Sequence, residues 1–247
     1  MNWWMVPGSL LVTGIFFCAI AQADETDRRT VADSSQPVTI VILGSSTASG
    51  KNLDKPMYGG REGDLKLAWP NRYAEFLEET RPGSKVINLS KPGRVTYHAM
   101  PTGTKNPEGI PDPDPSMNVT AALKHGPDAI ILAYPGIGED SDLLEVISNV
   151  DAIQTAAGDV PVWVQTPQPA ASMSPETLAA RLKFREMLIE KYGDRVLDFW
   201  TPLALSDNSA WDSRLGLTDG GHPNKDGHFA IFEVVREARI PESALRR

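Results

Sequence analysis

Two short stretches, far apart in the sequence, carry the residue types of a serine nucleophile and its base. Gly44-Ser45-Ser46-Thr47 directly follows an apolar run, and Asp219-Gly220-Gly221-His222-Pro223-Asn224 lies near the end of the chain. An aspartate three residues before a histidine can hold the imidazole Nδ1 and leave Nε2 free as a base. A serine hydroxyl is inert without such a base, so the two stretches together predict nucleophile, base and orienting carboxylate in one crevice.

The same two stretches also resemble an ordinary turn, a phosphate-binding loop and a metal site. Each stretch by itself is also typical of an ordinary turn. Residues 44–51 resemble a phosphate-binding P-loop, but five residues instead of four separate the glycines, and Asn52 follows the lysine where serine or threonine is required. His222 and His228 have a spacing that does not place both on one helix face, as a zinc site would require. The sequence therefore predicts neither a metal nor a cofactor.

The rest of the chain alternates between apolar runs and helical patterns. A continuous β-branched run is typical of a strand buried on both faces, and five such runs interleaved with helices predict a parallel sheet covered by helices. The predicted strands are 38–43, 85–89, 129–133, 160–165 and 195–199, and the predicted helices are 71–80, 143–157, 175–192 and one opening at Pro223. In such a fold ligands bind beyond the carboxyl ends of the strands, where Ser46 would lie.

One stretch fits neither pattern. Residues 101–115 (PTGTKNPEGIPDPDP) contain five prolines, which excludes a helix or an inner strand. Because an apolar strand follows within about twenty residues and the alternation then resumes, we expect a rigid loop over one face of the same domain rather than an interdomain linker.

The first 23 residues predict export. They contain no charged residue and no histidine, residues 6–20 are apolar, and Ala21-Gln22-Ala23 has the small-x-small pattern of a signal cleavage site. A membrane anchor retained at this position is the alternative, since about 20 apolar residues can span a bilayer. We expect a signal peptide at 1–23, a flexible lead-in at 24–36, one domain at 37–247, and a secreted or periplasmic protein.

The charge and the cysteine content of the chain exclude several classes of partner and site. The chain has 24 basic and 32 acidic residues, a net charge of −8, and no basic cluster, which argues against nucleic acid. Cys18 is the single cysteine and would leave with the signal, so a mature chain has neither a disulfide nor a thiol nucleophile. The expected partner is a small-molecule or glycan ester, with membrane contact only through an uncleaved N-terminal segment.

The motifs resemble those of the SGNH (GDSL-type) hydrolases along nearly the whole mature chain. The matching stretches are Ile42-Leu43-Gly44-Ser45-Ser46-Thr47, Trp69-Pro70-Asn71-Arg72-Tyr73, Asn88-Leu89-Ser90-Lys91-Pro92-Gly93 and 217–228 (LTDGGHPNKDGH). The resemblance implies a three-layer α/β/α flavodoxin-like fold with a five-stranded parallel sheet, and ester hydrolysis. It further implies Ser46 as nucleophile, Asp219 and His222 as its partners, and the backbone N–H groups of Ser46 and Gly93 as oxyanion donors.

The chain departs from the family pattern in two places. Ser45 stands where the G-D-S motif has aspartate. After the third strand, the asparagine whose amide binds the oxyanion is missing, and alignment puts Ile137 or Glu139 there. One alternative is a rearranged oxyanion hole that uses the N–H of Gly136 or Gly138. The other is a non-catalytic or very slow protein that binds carbohydrate or cell-wall material.

Two further residues are candidates for contact with substrate. His98 follows Gly93 closely, and Trp211 lies in a polar segment just before the Asp219 motif. By contrast Trp163, Phe199 and Trp200 fall on or beside predicted strands, which indicates a place in the core.

Overall fold

The computed structural model describes residues 36–106, 108–134 and 142–244. The predicted signal peptide, nearly all of the lead-in, and the third-block residues Gly136, Ile137, Gly138 and Glu139 lie outside these ranges. In the described part of the chain, no helix combines the length and the apolar character needed to cross a membrane.

Five parallel strands form one sheet, as the apolar runs predict. They are β1 (Thr39–Gly44), β2 (Lys85–Asn88), β3 (Ala129–Ala133), β4 (Val162–Gln165) and β5 (Val196–Leu197). Their order in the sheet is β2-β1-β3-β4-β5. This is the flavodoxin-like order, in which successive strands are added first on one side of β1 and then on the other, so the strand order reverses between β1 and β3. The predicted α/β class and five-stranded parallel sheet are confirmed.

Alternate side chains of β1 supply two separate cores, one on each face of the sheet. Ile40 and Ile42 point into one core, while Val41 and Leu43 point into the other, and all four are fully buried. A strand with helices on both faces has no solvent-facing side, which explains its unbroken apolar sequence. The aromatic residues expected in the core are there: Trp163, Phe199 and Trp200.

The helices form the two outer layers. They are α1 (Trp69–Thr80), α2 (Thr96–Ala99), α3 (Val119–Leu123), α4 (Leu143–Ala157), α5 (Pro175–Tyr192), α6 (Lys225–Glu237) and α7 (Ile240–Ala244). The buried faces of α1, α6 and α7 pack in one core, and those of α3, α4 and α5 pack in the other. Ser174 caps α5 by accepting a hydrogen bond from the Thr177 N–H.

Two predicted boundaries differ from the structure for identifiable reasons. The last helix begins at Lys225, not Pro223, because the Asn224 side chain caps it by accepting the N–H groups of Asp226 and Gly227. The fifth strand is two residues long instead of five. Beyond it, the N–H groups of Phe199 and Trp200 donate to the Thr166 hydroxyl oxygen at 3.0 and 3.3 Å instead of to a neighbouring strand.

The proline-rich stretch 101–115 contains no helix or strand among its described residues. Its Asp114 forms ion pairs with Lys91 at 3.2 Å and with Arg94 at 3.4 Å. The Asp114 N–H also donates to the His98 carbonyl at 3.0 Å. The loop is therefore attached to the segment around Gly93, at the carboxyl edge of the sheet.

His228 is fully buried on α6 and gives the fold an acid-sensitive contact. Its Nδ1 accepts the Trp69 N–H at 3.2 Å, which joins α6 to the first turn of α1. Burial, with a smaller effect from the charge of Arg72, lowers the pKa of His228 to about 3. The folded chain thus keeps this imidazole neutral at pH values where an unfolded chain protonates it.

We expect His228 to make the protein lose stability as the pH falls. The pKa of this histidine is about 6.5 in the unfolded chain and lower in the folded one, so between the two values only the unfolded chain binds a proton there. The free energy of unfolding therefore falls as the pH falls through this range. The free energy of unfolding should fall by about 2 kcal/mol from pH 6.5 to 4.5 through this residue alone. Urea unfolding of His228→Asn, with exposed His125→Asn as control, measures the effect. Parallel pH profiles for wild type and His228→Asn would contradict it.

Candidate active site

The loop after β1 begins at the point where the strand order of the sheet reverses. The Ser45 N–H donates to the Ala133 carbonyl at 3.0 Å, so the chain leaves β1 still paired with β3. A Cβ on Gly44 would lie only 2.7 Å from that carbonyl oxygen, so glycine is required for the close approach. Ser46 consequently lies half-buried at the carboxyl edge of the sheet, where open α/β sheets bind ligands.

The turn that carries Ser46 closes on itself. The N–H groups of Ser49, Gly50 and Lys51 donate to carbonyl oxygens earlier in the same turn, at 3.0 to 3.1 Å. A P-loop needs such N–H groups directed at a phosphate. Because they are already engaged, this geometry agrees with the sequence in disfavouring a nucleotide site here.

Asp219 and His222 form a hydrogen-bonded pair on a single tight turn. Asp219 Oδ2 lies 2.8 Å from His222 Nδ1, and both side chains are largely buried. The other carboxylate oxygen, Oδ1, accepts the N–H groups of Gly221 and His222 at 3.0 Å each. The D-x-x-H spacing therefore produces the expected contact through a local turn.

The ionisation of Asp219 fixes the tautomer of the histidine. Burial acts to raise the pKa of the Asp219 carboxyl, but hydrogen bonds from Asn52, Gly221 and His222 outweigh burial and leave this pKa below its ordinary value. An ionised carboxylate can only accept, so His222 Nδ1 donates to it. Nε2 is then the imidazole nitrogen with a free lone pair, as a general base requires.

Two side-chain amides hold the Ser46 turn against the His222 turn. Asn52 Nδ2 donates to Asp219 Oδ2 at 2.7 Å. Gln168 bridges the same two segments: its Oε1 accepts from the Thr47 hydroxyl at 3.0 Å, and its Nε2 donates to the Gly221 carbonyl at 3.1 Å. Thr47 and Asn52, which follow Ser46, are thereby tied to the residues that precede His222.

Within the described residues, Ser46 Oγ and His222 Nε2 are not hydrogen-bonded to each other. The Ser46 carbonyl, in contrast, is held by the Ser49 hydroxyl at 2.8 Å. In ligand-free sites such catalytic contacts are often long and shorten when substrate binds. The structure thus brings the two turns together, and the serine hydroxyl has no hydrogen-bond partner in the part of the chain that the structure describes.

The backbone N–H groups of Ser46 and Gly93 donate to no other described residue. Gly93 has a φ of 76°, a left-handed conformation that favours glycine, and open space surrounds the position of a Cβ. Its segment packs beside the Ser46 turn, since the Lys91 N–H donates to the Gly44 carbonyl at 3.1 Å and Asn88 Nδ2 donates to the Ala48 carbonyl at 2.8 Å. Both N–H groups are therefore available to an oxyanion. Gly136 and Gly138 lie outside the described residues.

His98 follows Gly93 closely in the sequence, and its side chain is turned into its own loop. Its side chain is buried, and Nδ1 accepts the Val95 N–H at 3.2 Å. Burial is the main cause that lowers the pKa of His98, which favours the neutral imidazole. His98 thus supports the segment after Gly93, and its contact with substrate remains a prediction.

Trp211 is buried, although polar residues flank it in the sequence. Only 5% of the residue is exposed, and it packs in the core shared with α1 and α6. An antiparallel bridge pairs it with Ala204, and its indole lies against Gly216, where a Cβ would come within 3.0 Å of Nε1. Trp211 is thus a core residue by burial, and its contact with substrate stays a prediction.

Asn52 and Gln168 are site residues that the sequence did not single out. In the sequence Asn52 appears only as the residue that interrupts the P-loop pattern, and Gln168 lies between prolines after β4. Their partners are 167 and 121 residues away, respectively. Contacts at such separations leave no local pattern in the sequence. Asn52 also has a positive φ, and asparagine is over-represented among the non-glycine residues that adopt this conformation.

Within the described ranges, no three His, Cys, Asp or Glu side chains converge in a way that could hold a metal ion. The described residues of the site supply a hydroxyl, an imidazole oriented by a carboxylate, and two backbone N–H groups that have no partner among those residues.

Comparison with known proteins supplies a fold but no close relative in sequence. No protein-family model matches the chain, and no curated protein sequence matches it either. Several solved structures are similar. One is a protein assigned to the lipolytic G-D-S-L family from Desulfitobacterium hafniense DCB-2, with 17% identity and a TM-score of 0.56; the match covers 81% of this chain and 99% of that one.

Two other structures give the same result. A GDSL-like lipase from Bacteroides thetaiotaomicron VPI-5482 has 14% identity and a TM-score of 0.53, over 86% of this chain and 94% of its own. A lipase/acylhydrolase from Enterococcus faecalis has 16% identity and a TM-score of 0.53, over 81% and 94%. Together with the strand order and the switch-point position of Ser46, these likenesses show that the chain has the α/β fold of the G-D-S-L (SGNH) lipolytic hydrolases.

Proposed function

We propose that the protein is a serine esterase that cleaves carboxylic esters through an acyl-enzyme on Ser46. The observation that carries the proposal is the Asp219–His222 pair, joined at 2.8 Å and tied by Asn52 to the turn that bears Ser46. Ser46 is the nucleophile, His222 the general base and Asp219 the orienting carboxylate. The free N–H groups of Ser46 and Gly93 are the oxyanion donors.

The reaction proceeds in two halves. Ser46 Oγ attacks the ester carbonyl carbon while its proton passes to His222 Nε2, and the carbonyl oxygen becomes an oxyanion. His222 then returns the proton to the leaving alcohol as the ester C–O bond breaks, which leaves the acyl group on Ser46. Water attacks the acyl-enzyme by the same proton relay, releases the carboxylic acid and restores the serine.

The missing third-block asparagine predicts a slow enzyme. Removal of one oxyanion-hole donor typically costs about 10² to 10³ in kcat, which corresponds to about 3 to 4 kcal/mol. Two backbone donors remain, so catalysis is weakened and not abolished. An N–H of Gly136 or Gly138 would restore a third donor if the loop after β3 directs it at the substrate.

The proposed location of the enzyme and the class of its substrate rest on the sequence. The uncharged residues 1–23 support export, and with it a secreted or periplasmic enzyme. The substrate is a small-molecule or glycan ester, and no nucleic acid takes part. Contact with a membrane is confined to an N-terminal segment that escapes cleavage.

A second candidate function rests on the same missing asparagine. A protein that kept this fold and lost an oxyanion donor could bind carbohydrate or cell-wall material without turning it over. The engaged Asp219–His222 pair favours the enzyme, since a binding protein has no need for a carboxylate that fixes the tautomer of a histidine.

Release of p-nitrophenolate from p-nitrophenyl acetate and butyrate separates the two candidates. We expect the protein to release it well above the rate in buffer. A rate equal to the buffer rate with both esters, together with measurable binding of an acetylated oligosaccharide, would favour the binding protein.

A further inference from the structure

We propose that Asn52 is a positioning residue that fixes the carboxylate of Asp219 toward His222 and keeps this pair in register with the Ser46 turn. Its catalytic consequence rests on the proposed esterase function, whereas the effect on Asp219 does not. Neither the SGNH-like motifs nor the D-x-x-H spacing points to this residue.

Four hydrogen bonds saturate the Asp219 carboxylate. Oδ1 accepts from the N–H groups of Gly221 and His222, and Oδ2 accepts from His222 Nδ1 and from Asn52 Nδ2 at 2.7 Å. An ionised carboxylate has about four acceptor positions, so all of them are filled. Three of the donors belong to the turn of Asp219 itself. Asn52 is the single donor from the turn that carries Ser46.

The backbone at Asn52 is held in an unfavourable conformation. Its φ is 66°, which is uncommon for a residue with a side chain and is tolerated best by asparagine and aspartate. Nearby residues of the same chain pack closely around this position. The Lys55 N–H donates to the Asn52 carbonyl oxygen at 3.0 Å, and Gly60 passes so near that a Cβ on it would lie 2.7 Å from the same oxygen. Strained backbone that its surroundings enforce is common at functional sites.

The amide affects both geometry and charge. A carboxylate held by three bonds from its own turn can still tilt with that turn, whereas a fourth bond from another segment fixes its orientation relative to Ser46. The same bond stabilises the ionised form of Asp219, which is the form that accepts from His222 Nδ1. Small misplacements of reacting groups are costly, up to about 10²-fold for 1 Å.

Asn52→Gly isolates this role, because glycine accepts the left-handed backbone and removes only the amide. Asn208→Gly is the matched control: Asn208 also has a positive φ, of 60°, and its side chain accepts from Trp200 Nε1 in the segment after β5. Two readouts on the full chain are compared, kcat and KM for p-nitrophenyl acetate and the titration of the Asp219 carboxyl carbon by NMR.

For Asn52→Gly we expect kcat to fall about 10- to 100-fold with little change in KM. The Asp219 carboxyl should titrate at higher pH than in the wild type. Asn208→Gly should change neither kcat nor the Asp219 titration.

The two readouts separate the inference from the proposed function. An Asp219 titration that is the same in Asn52→Gly and wild type overturns the inference, whether or not the protein hydrolyses esters. An unchanged kcat in an active protein overturns it as well. If the wild type hydrolyses no ester while the Asp219 titration moves as expected, the positioning of Asp219 stands and the esterase proposal fails.

Discussion

Replacement of Ser46 by alanine is expected to lower kcat/KM for p-nitrophenyl acetate by about 10⁴-fold or more. The change removes the Oγ that forms the acyl-enzyme but keeps the backbone N–H groups of Ser46 and Gly93. In serine hydrolases loss of the nucleophile typically leaves only the small acceleration due to the oxyanion hole and binding. Because Ser46 Oγ makes no hydrogen bond among the described residues, the variant should fold as well as the wild type.

The matched control for this change is Ser45→Ala. Ser45 precedes the nucleophile in the same turn and is largely buried, so any general disturbance of the turn should affect both variants. We expect Ser45→Ala to retain activity within about tenfold of the wild type, as befits a change outside the reacting groups. Equal rates for wild type and Ser46→Ala would refute the assignment of the nucleophile.

Asp219→Asn is expected to lower kcat by about 10⁴-fold while the fold persists. The substitution is nearly isosteric, but a neutral amide no longer requires His222 to carry its proton on Nδ1. The neutral imidazole can then carry its proton on Nε2, where it cannot act as a base. The imidazolium formed during catalysis also loses the carboxylate that balances its charge. In serine proteases the equivalent substitution has an effect of this size.

Steady-state kinetics with p-nitrophenyl acetate between pH 6 and 9 measure this effect. Asp226→Asn serves as control, since Asp226 is exposed in the first turn of α6 and faces solvent only seven residues further along the chain. The control should behave as the wild type does. A loss smaller than tenfold in Asp219→Asn would show that the carboxylate does not orient the base.

Much of the fold is readable from the sequence, because its causes are local. A strand buried on both faces is continuously apolar, as in β1, and helix ends are marked by residues such as Ser174 and Gly158. The errors occur where a side chain takes over backbone hydrogen bonds. Thr166 does so at the end of β5, and this capture depends on a residue 33 positions away from its partner Phe199.

In the candidate site, too, the sequence reveals the residues whose contacts are local and misses those whose contacts are distant. Asp219 and His222 are recognisable because their contact is made within one turn, and Ser46 because it directly follows a predicted strand. Asn52 and Gln168 act across more than a hundred residues, so no spacing reveals them. Trp211 lies in a polar segment, and the polarity of its neighbours does not reveal that its apolar ring packs in the core.

The measurement that tests the central claim most directly is the intact mass of the protein after reaction with a fluorophosphonate. Such reagents modify a serine only when a neighbouring base activates it, so they report on the arrangement of Ser46 and His222 without knowledge of the natural substrate. We predict one adduct per chain, located on Ser46 by peptide mapping and absent from Ser46→Ala and His222→Ala. A wild-type protein that remains unmodified under conditions that label a known serine esterase would contradict the account.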